Sequence, residues 1–447
     1  MSSEETNDNQ DCNDGSCQCG LFHILPPEIW SIIIFNIYHY FLNIFSFYSR
    51  LNLFSYLSAE FIIEKFSLVC KPLRRFILSS QSYWKYRYER RVRAPYRSIP
   101  NTHETWVNVC HQLERMGHEW KQCAEQHHNI LSISGAHIGP IADTILLENG
   151  YTCVTGSRDS SICCWDLRLL VRPEETKVSN AFGSPYVFKR AQDLQQRWIW
   201  SLDHEGNILS STSSNSEIRL WDINEEIREI SRIKLQSTFA MTHRLRNSLL
   251  YAGVYNGHLH VYDTRINHTE TNNTPIHIER VTPRGYIHAL ELQDNYILVI
   301  HKSSTLCLYD QRTWQKLENV PLNLGERVSS YYKNSLLFLG DNKGFVHVFN
   351  WKNDHCEFVE KIPTEHGCQI TALSHSQGIL QTCTATAKTL AIDQLSTPIK
   401  HLALIKADTL DQHICMDAHD NGLTVIGGSD NNLITVYRDE FRRCYTL

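Results

Sequence analysis

The stretch Ile162-Cys163-Cys164-Trp165-Asp166 is the clearest copy of a pattern that recurs through the later part of the chain. Each copy is centred on one aromatic or aliphatic anchor residue, and successive anchors are 56, 41, 47, 40, 43 and 45 residues apart. The seven anchors are Trp165, Trp221, Tyr262, Tyr309, Phe349, Ile392 and Tyr437. A fixed period of this length predicts an array of one supersecondary unit, with an insertion near residues 169–192.

The residues around each anchor alternate as a β-strand requires. The side chains one and three positions before it are mostly apolar, and the residue between them is mixed in character, which predicts a strand with one apolar face. Five positions before the anchor stands a small or turn-forming residue, so a hairpin joins this strand to the preceding one. A further strand begins upstream in every copy, at Ile141, Ile199, Phe239, Ile287, Val328, Ile370 and Ile414. The pattern predicts a mainly β fold, a seven-bladed propeller of four-stranded blades.

Two segments before the first repeat complete this prediction. Ile130-Leu131-Ser132-Ile133 can supply the outer strand of the seventh blade, since such closure removes open sheet edges. A linker helix is predicted further upstream, where apolar residues follow one another at steps of three and four. Its stripe consists of Trp106, Cys110, Leu113, Met116 and Trp120.

Composition excludes several classes of protein. Of the 447 residues, 42% are hydrophobic and 20% charged, enough apolar material for a large core. The formal net charge of −5 argues against a protein built mainly to hold nucleic acid. Because the 15 Cys follow no framework spacing and we find no secretion signal, we expect reduced thiols and a cytoplasmic or nuclear protein.

The first 48 residues differ in composition from the rest of the chain. The first 20 residues are polar and acidic and are predicted to be disordered. Residues 29–48 contain no Asp, Glu, Lys or Arg, a length that can span a bilayer. Asn36, His39 and Asn43 interrupt this run, so we expect no membrane span.

Nine basic residues and one acidic residue lie between Lys71 and Arg97. This excess has two interpretations: a nucleic-acid or nuclear-targeting patch, or a solvated positive face of linker helices. We favour the second.

Residues 136–167 resemble a WD40 repeat in nearly full form. Ala136-His137 stands where that family has Gly-His, Val154-Thr155-Gly156-Ser157 precedes Asp159, and Trp165-Asp166 ends the copy. The resemblance implies a structural tetrad of hydrogen-bonded side chains, formed by His137, Thr155, Asp159 and Trp165. The other repeats keep the strands and lose most of the tetrad.

A second resemblance covers residues 23–37 and 56–86. Leu25-Pro26-Pro27-Glu28-Ile29-Trp30, Tyr56-Leu57, Leu68-Val69-Cys70-Lys71 and Trp84 are similar to the F-box, a three-helix module. Residues 38–55 depart from the family pattern. They are interpreted as a loop insertion or as retained intron-derived sequence, with either alternative open.

Together the two modules resemble the F-box/WD-repeat protein family. The resemblance implies a non-catalytic substrate receptor of a Skp1–cullin–F-box ubiquitin ligase. Its expected domains are an acidic tail (1–20), an F-box (21–87) with the insertion at about 38–55, a helical linker (88–128) and a seven-bladed WD40 propeller (129–447). The expected Skp1 contacts are Leu25, Pro26, Ile29, Ile32, Leu68, Val69 and Trp84.

The resemblance also implies that the target protein binds the propeller face formed by the turn before each anchor strand and by the start of each first strand. The candidate residues there are Arg158, Trp198, Tyr255, Tyr286, Lys302, Arg327 and His413. Aromatic residues and Arg contribute most to interface energy. The cationic members Arg158, Lys302 and Arg327 favour an acidic or phosphorylated motif.

Other features of the sequence bear on alternative functions. Three Asp-x-Arg stretches, at Asp166, Asp263 and Asp310, resemble the signature of propellers that serve a different cullin adaptor, DDB1. A WD40 scaffold with a disabled F-box is a further alternative. The 23 His and 15 Cys show no metal-ligand spacing, and no phosphate loop or nucleophile elbow is present. We therefore expect no enzyme activity, no cofactor, no metal, no small-molecule ligand and no nucleic-acid partner.

Overall fold

The computed structural model describes residues 57–68, 71–97, 104–126, 129–172, 184–192, 197–224, 226–235, 238–266, 273–282, 285–293, 295–301, 305–322, 329–352, 355–364, 367–384, 389–406 and 412–445. These residues form two compact units. The first contains 57–88 and 104–115, and the second contains 89–97 and 116–445. The predicted linker, residues 88–128, thus contributes to both units. The acidic tail, the apolar run 29–48 and the insertion 38–55 lie outside the described residues.

The first unit is helical. A π-helical turn (Phe61–Lys65) and a 3-10 turn (Phe66–Leu68) precede α1 (Lys71–Ser79) and α2 (Gln81–Arg91). The long helix α3 (Trp106–Gln126) begins in this unit, which confirms the predicted linker helix. Pro72 stands in the first turn of α1, where its missing N–H breaks no helical hydrogen bond. The hydrophobic core of the first unit contains Ala59, Ile62, Leu73, Ile77, Tyr83, Trp84, Val107 and Cys110.

A buried ion pair locks these helices together. Arg87 on α2 binds Glu114 on α3 in a two-pronged arrangement, Nε to Oε1 at 2.7 Å and Nη2 to Oε2 at 3.0 Å. Both side chains are under 10% exposed, at 5% and 8%. The Glu114 carboxylate also accepts from the Ala59 backbone N–H at 2.8 Å. Since a buried charge is tolerated only with such partners, the pair fixes how α2, α3 and residue 59 pack.

The second unit is built from 28 strands. The first fourteen are β1 (Ile130–Ile133), β2 (Ile141–Leu146), β3 (Thr152–Ser157), β4 (Ser161–Asp166), β5 (Val187–Gln192), β6 (Ile199–Glu205), β7 (Ile208–Ser213), β8 (Glu217–Asp222), β9 (Arg228–Lys234), β10 (Ala240–Arg246), β11 (Leu249–Val254), β12 (His258–Asp263), β13 (His277–Arg280) and β14 (Ile287–Gln293). The remaining strands are β15 (Tyr296–His301), β16 (Thr305–Asp310), β17 (Lys316–Pro321), β18 (Ser329–Lys333), β19 (Leu336–Gly340), β20 (Phe345–Lys352), β21 (His355–Pro363), β22 (Ile370–Ser376), β23 (Ile379–Thr384), β24 (Thr389–Gln394), β25 (Lys400–Lys406), β26 (His413–Ala418), β27 (Leu423–Gly428) and β28 (Leu433–Tyr437). Two 3-10 turns (Ala94–Tyr96 and Leu167–Leu170) and α4 (Asp439–Tyr445) complete the unit.

The strands form seven antiparallel four-stranded sheets, which confirms the predicted seven-bladed propeller. Blades 1 to 6 each contain four strands consecutive in sequence, from β2–β5 to β22–β25. Blade 7 contains β26, β27, β28 and, as its outer strand, β1. The register pairs Ile130 with Val436 and Ile133 with Leu433. The predicted closure by residues 130–133 is therefore confirmed.

The third strand of each blade is more buried than the alternation predicts. In β4 both Cys163 and Cys164, which point to opposite faces, are almost inaccessible to solvent. The physical reason is that blades stack face to face, so the neighbouring blades cover both faces of an inner strand. Small residues make this stacking close. A Cβ added at Gly156 would lie 2.8 Å from Ile199 of blade 2, and one added at Gly427 would lie 2.7 Å from Ile141 of blade 1.

The repeat alignment is displaced by one residue in the last two blades. The strand pairing of blade 1 places Trp165 opposite Cys153. The equivalent register in blades 6 and 7 places Asp393 opposite Leu380 and Val436 opposite Thr424, so the predicted anchors Ile392 and Tyr437 are each one residue off. Apolar residues on both faces of these strands hid the displacement from the sequence pattern.

Buried carboxylates link the first strands of successive blades, which contact one another around the propeller axis. Each carboxylate accepts a hydrogen bond from a backbone N–H of the next blade. The bonds are Leu146 N to Asp417 Oδ2 (2.7 Å), Leu202 N to Asp143 Oδ2 (2.7 Å) and Leu245 N to Asp203 Oδ2 (2.6 Å). Burial raises the pKa of Asp143 to about 6 although two backbone N–H groups and Arg244 favour its ionised form.

Other polar contacts continue this ring through blades 3 to 7. Arg244 binds Glu291 at 2.8 Å, and Ser330 donates to the same carboxylate at 3.5 Å. The last two links are from Tyr331 Oη to the His375 carbonyl (3.2 Å) and from Ser376 Oγ to Asp420 (2.5 Å). Every blade interface therefore has at least one hydrogen bond between first-strand residues or the turn beside them.

The residues before the propeller include a segment that packs on blades 5 and 6. Arg93 donates from its backbone to Leu395 O at 2.9 Å and from Nε to Ser396 O at 2.8 Å. Arg93 and Tyr96 both bind the Glu360 carboxylate, and the Tyr96 ring stacks on Phe338 at 6.1 Å. Tyr96 is buried as a result.

The second half of α3 is part of the same unit. Trp120 and Cys123 are buried, and Glu119 binds both Arg438 and Arg443 beyond the last strand. These residues thus belong to the propeller's own core.

The structure brings the four side chains of the predicted tetrad together in blade 1. Thr155 Oγ1 lies 2.7 Å from His137 Nε2 and accepts from Trp165 Nε1 at 2.7 Å. His137 Nδ1 lies 3.2 Å from Asp159 and 2.9 Å from Ser161 Oγ, a member that the sequence did not indicate. Burial opposes ionisation of Asp159, but the hydrogen bonds and charge of His137 outweigh it, so the pKa of Asp159 is lowered.

Blade 2 keeps one element of this network, the bond from Trp221 Nε1 to Ser211 Oγ at 2.8 Å. Thr212 beside it is fully buried, and its hydroxyl has no hydrogen-bond partner among the described residues.

Thr155→Val should lower the free energy of unfolding by about 2–4 kcal/mol, because it leaves the buried Trp165 and His137 nitrogens without a partner. The matched Thr212→Val removes a hydroxyl that bonds to no described residue and should change stability by less than about 0.5 kcal/mol. Urea unfolding of both variants measures the difference. Equal losses of stability in the two variants would show that the hydrogen bonds of the tetrad do not stabilise the propeller.

Asp203→Ala should destabilise the propeller by about 2–4 kcal/mol, since it removes the acceptor for Leu245 N and a negative charge near Arg244. The matched control is Asp222→Ala in the same blade. Its carboxylate accepts a hydrogen bond from the exposed Asn224 N–H, so its removal should lower the free energy of unfolding by less than about 1 kcal/mol. Thermal unfolding followed by circular dichroism tests this. A smaller loss for Asp203→Ala than for Asp222→Ala would contradict the role of the inter-blade bond.

Candidate functional site

One face of the propeller gathers four of the five candidate target-binding residues that the structure describes. Arg158 follows β3 and Tyr255 follows β11, each in the turn to the third strand of its blade. Trp198 and Tyr286 immediately precede the first strands β6 and β14. In an antiparallel blade these two positions lie at the same end of the sheet. We call this end of the propeller the turn face.

Arg158 lies over two indole rings. Its guanidinium carbon is 5.5 Å from the ring centroid of Trp198 and 5.5 Å from that of Trp200. The two indoles meet edge to face at 6.0 Å. Arg158 Nε is buried, and no described residue accepts a hydrogen bond from it. Stacking thus holds the guanidinium in place beside the two indoles.

A cavity opens beside the two tryptophans. It has a volume of about 350 Å³ and is lined by Arg197, Trp198, Trp200, Ser214 and Phe239. Trp198 is 47% exposed, and Arg197 is exposed as well. The cavity therefore lies at the junction of blades 2 and 3 and is open to solvent.

An aromatic ladder leads from this cavity across blade 3 to blade 4. Phe239 stacks on Tyr255 with centroids 4.9 Å apart, and Tyr255 stacks on Tyr286 at 5.5 Å with the rings nearly parallel. Tyr255 is 52% exposed. Exposed stacked rings of this kind provide rigid apolar area to a binding partner.

The described part of the turn face on blades 1 to 4 has little negative charge. Its carboxylates in the described turns and adjoining strand ends are already bonded. Asp159 is bonded to His137 and to the Ile138 N–H at 2.8 Å, and Glu217, which begins β8, is bonded to Arg219 at 2.9 Å. Arg158 and Arg197 are therefore not neutralised by acidic neighbours on this surface. The arrangement can attract an anionic group of a partner.

The remaining face residues behave differently. His413 is 1% exposed because it pairs with Gly428 at the start of β26, the place that Ile141 occupies opposite Ser157 in blade 1. Its ring is therefore enclosed in the blade and not presented on the turn face. Lys302 and Arg327 lie outside the described residues.

Sequence reasoning missed three residues of the site, Arg197, Trp200 and Phe239. The signal for two of them was present, because Arg197 and Trp200 flank the predicted Trp198-Ile199 pair. The side chains of Trp198 and Trp200 lie on one side of a strand whose intervening residue, Ile199, is buried between blades.

Two of the predicted Skp1-binding residues are described. Leu68 is 68% exposed at the end of its 3-10 turn. Trp84 is fully buried, and its indole N–H donates to the Ile77 carbonyl at 2.9 Å. Trp84 is thus a core residue of the first unit in this structure, and a partner contact for it stays a prediction. Leu25, Pro26, Ile29, Ile32 and Val69 lie outside the described residues.

Three arginines of the basic run have carboxylate partners. Arg87 binds Glu114, Arg93 binds Glu360, and Arg97 lies 3.7 Å from Glu89. The expected solvated positive face is therefore wrong for Arg87, which is buried, whereas Arg93 and Arg97 are partly exposed. The partners of Arg87 and Arg93 are distant in sequence, and Arg97 pairs with a residue close to it in the chain.

The Asp-x-Arg stretches form local ion pairs. Arg265 binds Asp263 through two bonds of 2.9 Å and 2.6 Å, and Arg168 binds Asp166 in the same way at 3.0 Å and 2.6 Å. At Asp310 the carboxylate accepts from the Arg312 backbone N–H at 2.7 Å. The motif is thus accounted for as a turn that the aspartate stabilises.

The described residues contain no group of three or more His, Cys, Asp or Glu side chains arranged to hold a metal ion. None of the helices in the described ranges is long and apolar enough to cross a membrane.

Comparison with known proteins places these observations in a family context. F-box/WD repeat-containing protein 9 from Homo sapiens is 27% identical over 396 residues, which cover 87% of this chain and 80% of the relative. The Bos taurus protein of the same name is 26% identical over 389 residues, with the same coverage. No protein-family model matches the sequence.

Solved structures share the fold. The WD40 propeller domain of Doa1 superposes with a TM-score of 0.54 at 11% identity, covering 70% of this chain and 97% of that chain. The propeller domain of Myceliophteria thermophila Cps50 (Swd1) superposes with a TM-score of 0.55 at 11% identity, covering 69% of this chain and 99% of that chain. The resemblance drawn from the motifs is thus confirmed: the chain is similar to the F-box/WD-repeat proteins over most of its length, and its fold is a seven-bladed WD40 propeller with helices before it.

Proposed function

We propose that this protein is the substrate-recognition subunit of a Skp1–cullin–F-box ubiquitin ligase. The observation that supports this most is the combination of two modules in one chain. A small helical unit has F-box sequence features and an exposed Leu68, and a propeller has an aromatic, cationic turn face. The similarity to proteins named F-box/WD repeat-containing protein 9 supports the same combination. As a scaffold or receptor of this kind the protein works in the cytoplasm or the nucleus.

The proposed mechanism needs no chemistry from the chain itself. The F-box docks on Skp1, and through it the protein joins a cullin scaffold. The propeller holds the target, so a ubiquitin-charged enzyme on the same assembly meets the target at a raised effective concentration. Specificity then depends on the turn face alone.

The target motif is proposed to be acidic or phosphorylated. On the described turn face of blades 1 to 4, the carboxylate of Asp159 is bonded to His137 and that of Glu217 to Arg219. Arg158 and Arg197 form no ion pair with these two groups, so an anionic partner gains favourable electrostatics there. The aromatic ladder adds apolar contact area of the kind that dominates interface energy.

Leu68→Glu should reduce the Skp1 recovered with the tagged chain at least about tenfold, because a charge replaces an apolar side chain that the proposal places in the interface. The matched control is Leu317→Glu, which changes a 42% exposed leucine on the outer strand β17 of the propeller and should leave Skp1 recovery unchanged. Co-expression with Skp1, pull-down and quantitative immunoblotting give the measurement.

Three results of this pull-down would contradict the proposal. Equal recovery of Skp1 by Leu68→Glu and the unchanged chain would remove Leu68 from the interface. Recovery of DDB1 without Skp1 would favour the other cullin adaptor. Absence of Skp1 from the full chain together with its return after deletion of residues 38–55 would indicate a scaffold whose F-box the insertion has disabled.

A further inference from the structure

The cavity between blades 2 and 3 favours a more specific kind of ligand than the turn face as a whole. Its walls include two indoles and the Phe239 ring, which favour an aromatic or large apolar side chain. Its volume of about 350 Å³ lies at the small end of ligand sites, enough for one or two side chains of a peptide. The size of the cavity favours a peptide segment that inserts one or two side chains.

Polar groups beside the cavity favour an occupant with oxygen atoms. Arg197 lines the cavity, and Arg158 lies over the Trp198 and Trp200 rings. A purely apolar ligand would cover these guanidinium groups without offering them an acceptor, which costs affinity. The occupant must therefore bring oxygen atoms as well as a ring.

The charge of the cavity decides which kind of oxygen this is. Arg158 covers the Trp198 and Trp200 rings, so a cationic ligand finds that position taken by a like charge. Arg197 lines the cavity, and the turn-face carboxylates nearby are already bonded, Asp159 within the tetrad and Glu217 to Arg219. An anionic group is the complementary partner.

We infer that this cavity binds a target segment in which an acidic side chain, Asp or Glu, stands next to an aromatic residue. The carboxylate pairs with the guanidinium groups of Arg158 and Arg197, and the adjacent ring packs against Trp198 and Phe239. The chain of the target then continues over the ladder of Tyr255 and Tyr286 toward blade 4. The inference deepens the proposed function and rests on it in one respect, that the segment belongs to a target protein.

The test uses the full chain labelled with 5-fluorotryptophan, with the Trp198 and Trp200 resonances assigned by the variants Trp198→Phe and Trp200→Phe. The probe is N-acetyl-Glu-Phe-amide, titrated while the fluorine spectrum is recorded. We expect both assigned resonances to shift in a saturable way. N-acetyl-Gln-Phe-amide, which lacks the charge, and N-acetyl-Glu-Ala-amide, which lacks the ring, should each bind at least about tenfold more weakly.

Arg158→Met should weaken binding of the Glu-Phe peptide at least about tenfold and leave binding of the Gln-Phe peptide unchanged, because it removes the charge and keeps an unbranched apolar side chain. Arg197→Met provides a second variant with the same expected direction. The control is Arg246→Met, which removes an exposed arginine at the far end of β10 and should bind like the unchanged chain. Unshifted resonances of the other tryptophans in each variant confirm an intact fold.

Several outcomes would overturn the inference. These are no shift of either resonance up to the solubility limit of the peptide, equal binding of the Glu and Gln peptides, or unchanged binding by both arginine variants. Tighter binding of N-acetyl-phosphoserine-Phe-amide than of the Glu peptide would overturn the assignment to a carboxylate. The experiment contains no Skp1, so its result and that of the pull-down stand independently of each other.

Discussion

The second unit depends on the pairing of its earliest strand with its latest one. β1 belongs to blade 7, where it pairs with β28 through residues separated by about three hundred positions in the chain. Without this pairing blade 7 would have three strands and an exposed edge, and its core shared with blade 1 would be open. Closure also makes the blades mutually dependent, because every blade packs against two neighbours only when the ring is complete.

Within the closed ring, side-chain hydrogen bonds inside the blades stabilise the propeller less than contacts between the blades do. Blade 1 has the full side-chain network of His137, Thr155, Asp159 and Trp165, and blade 2 keeps the Trp221–Ser211 bond. At several blade interfaces the isoleucine that begins the first strand of one blade packs against a glycine of the neighbouring blade, as Ile287 does against Gly253. The propeller is thus held mainly by close packing and by backbone-to-carboxylate bonds around the axis. Regular blade geometry does not require a tetrad in every repeat.

The turn face inherits its properties from this architecture. Its side chains lie at strand ends, where the blade core no longer covers them, so Trp198 and Tyr255 stay half exposed. Neighbouring blades bring residues from separate repeats into contact: Arg158 of blade 1 reaches the tryptophans of blade 2, and Phe239 of blade 3 completes the cavity. The rigidity of the strands below keeps these groups in place, which lowers the entropic cost of binding.

The sequence by itself determined the number of blades, the closing strand, the tetrad residues and the end of the propeller where aromatic and cationic residues collect. The number of blades and the closing strand follow from period, alternation and turn residues, which are local properties of the chain. The tetrad residues and the end of the propeller follow from the resemblance to WD40 repeats. Only the tertiary structure decided the register of blades 6 and 7, the burial of His413, the partners of Arg87 and Arg93, and the cavity that Phe239 and Trp200 complete. Each of these depends on contacts between residues far apart in sequence. A pattern that is apolar on both faces of a strand contains no information on which neighbour covers each face.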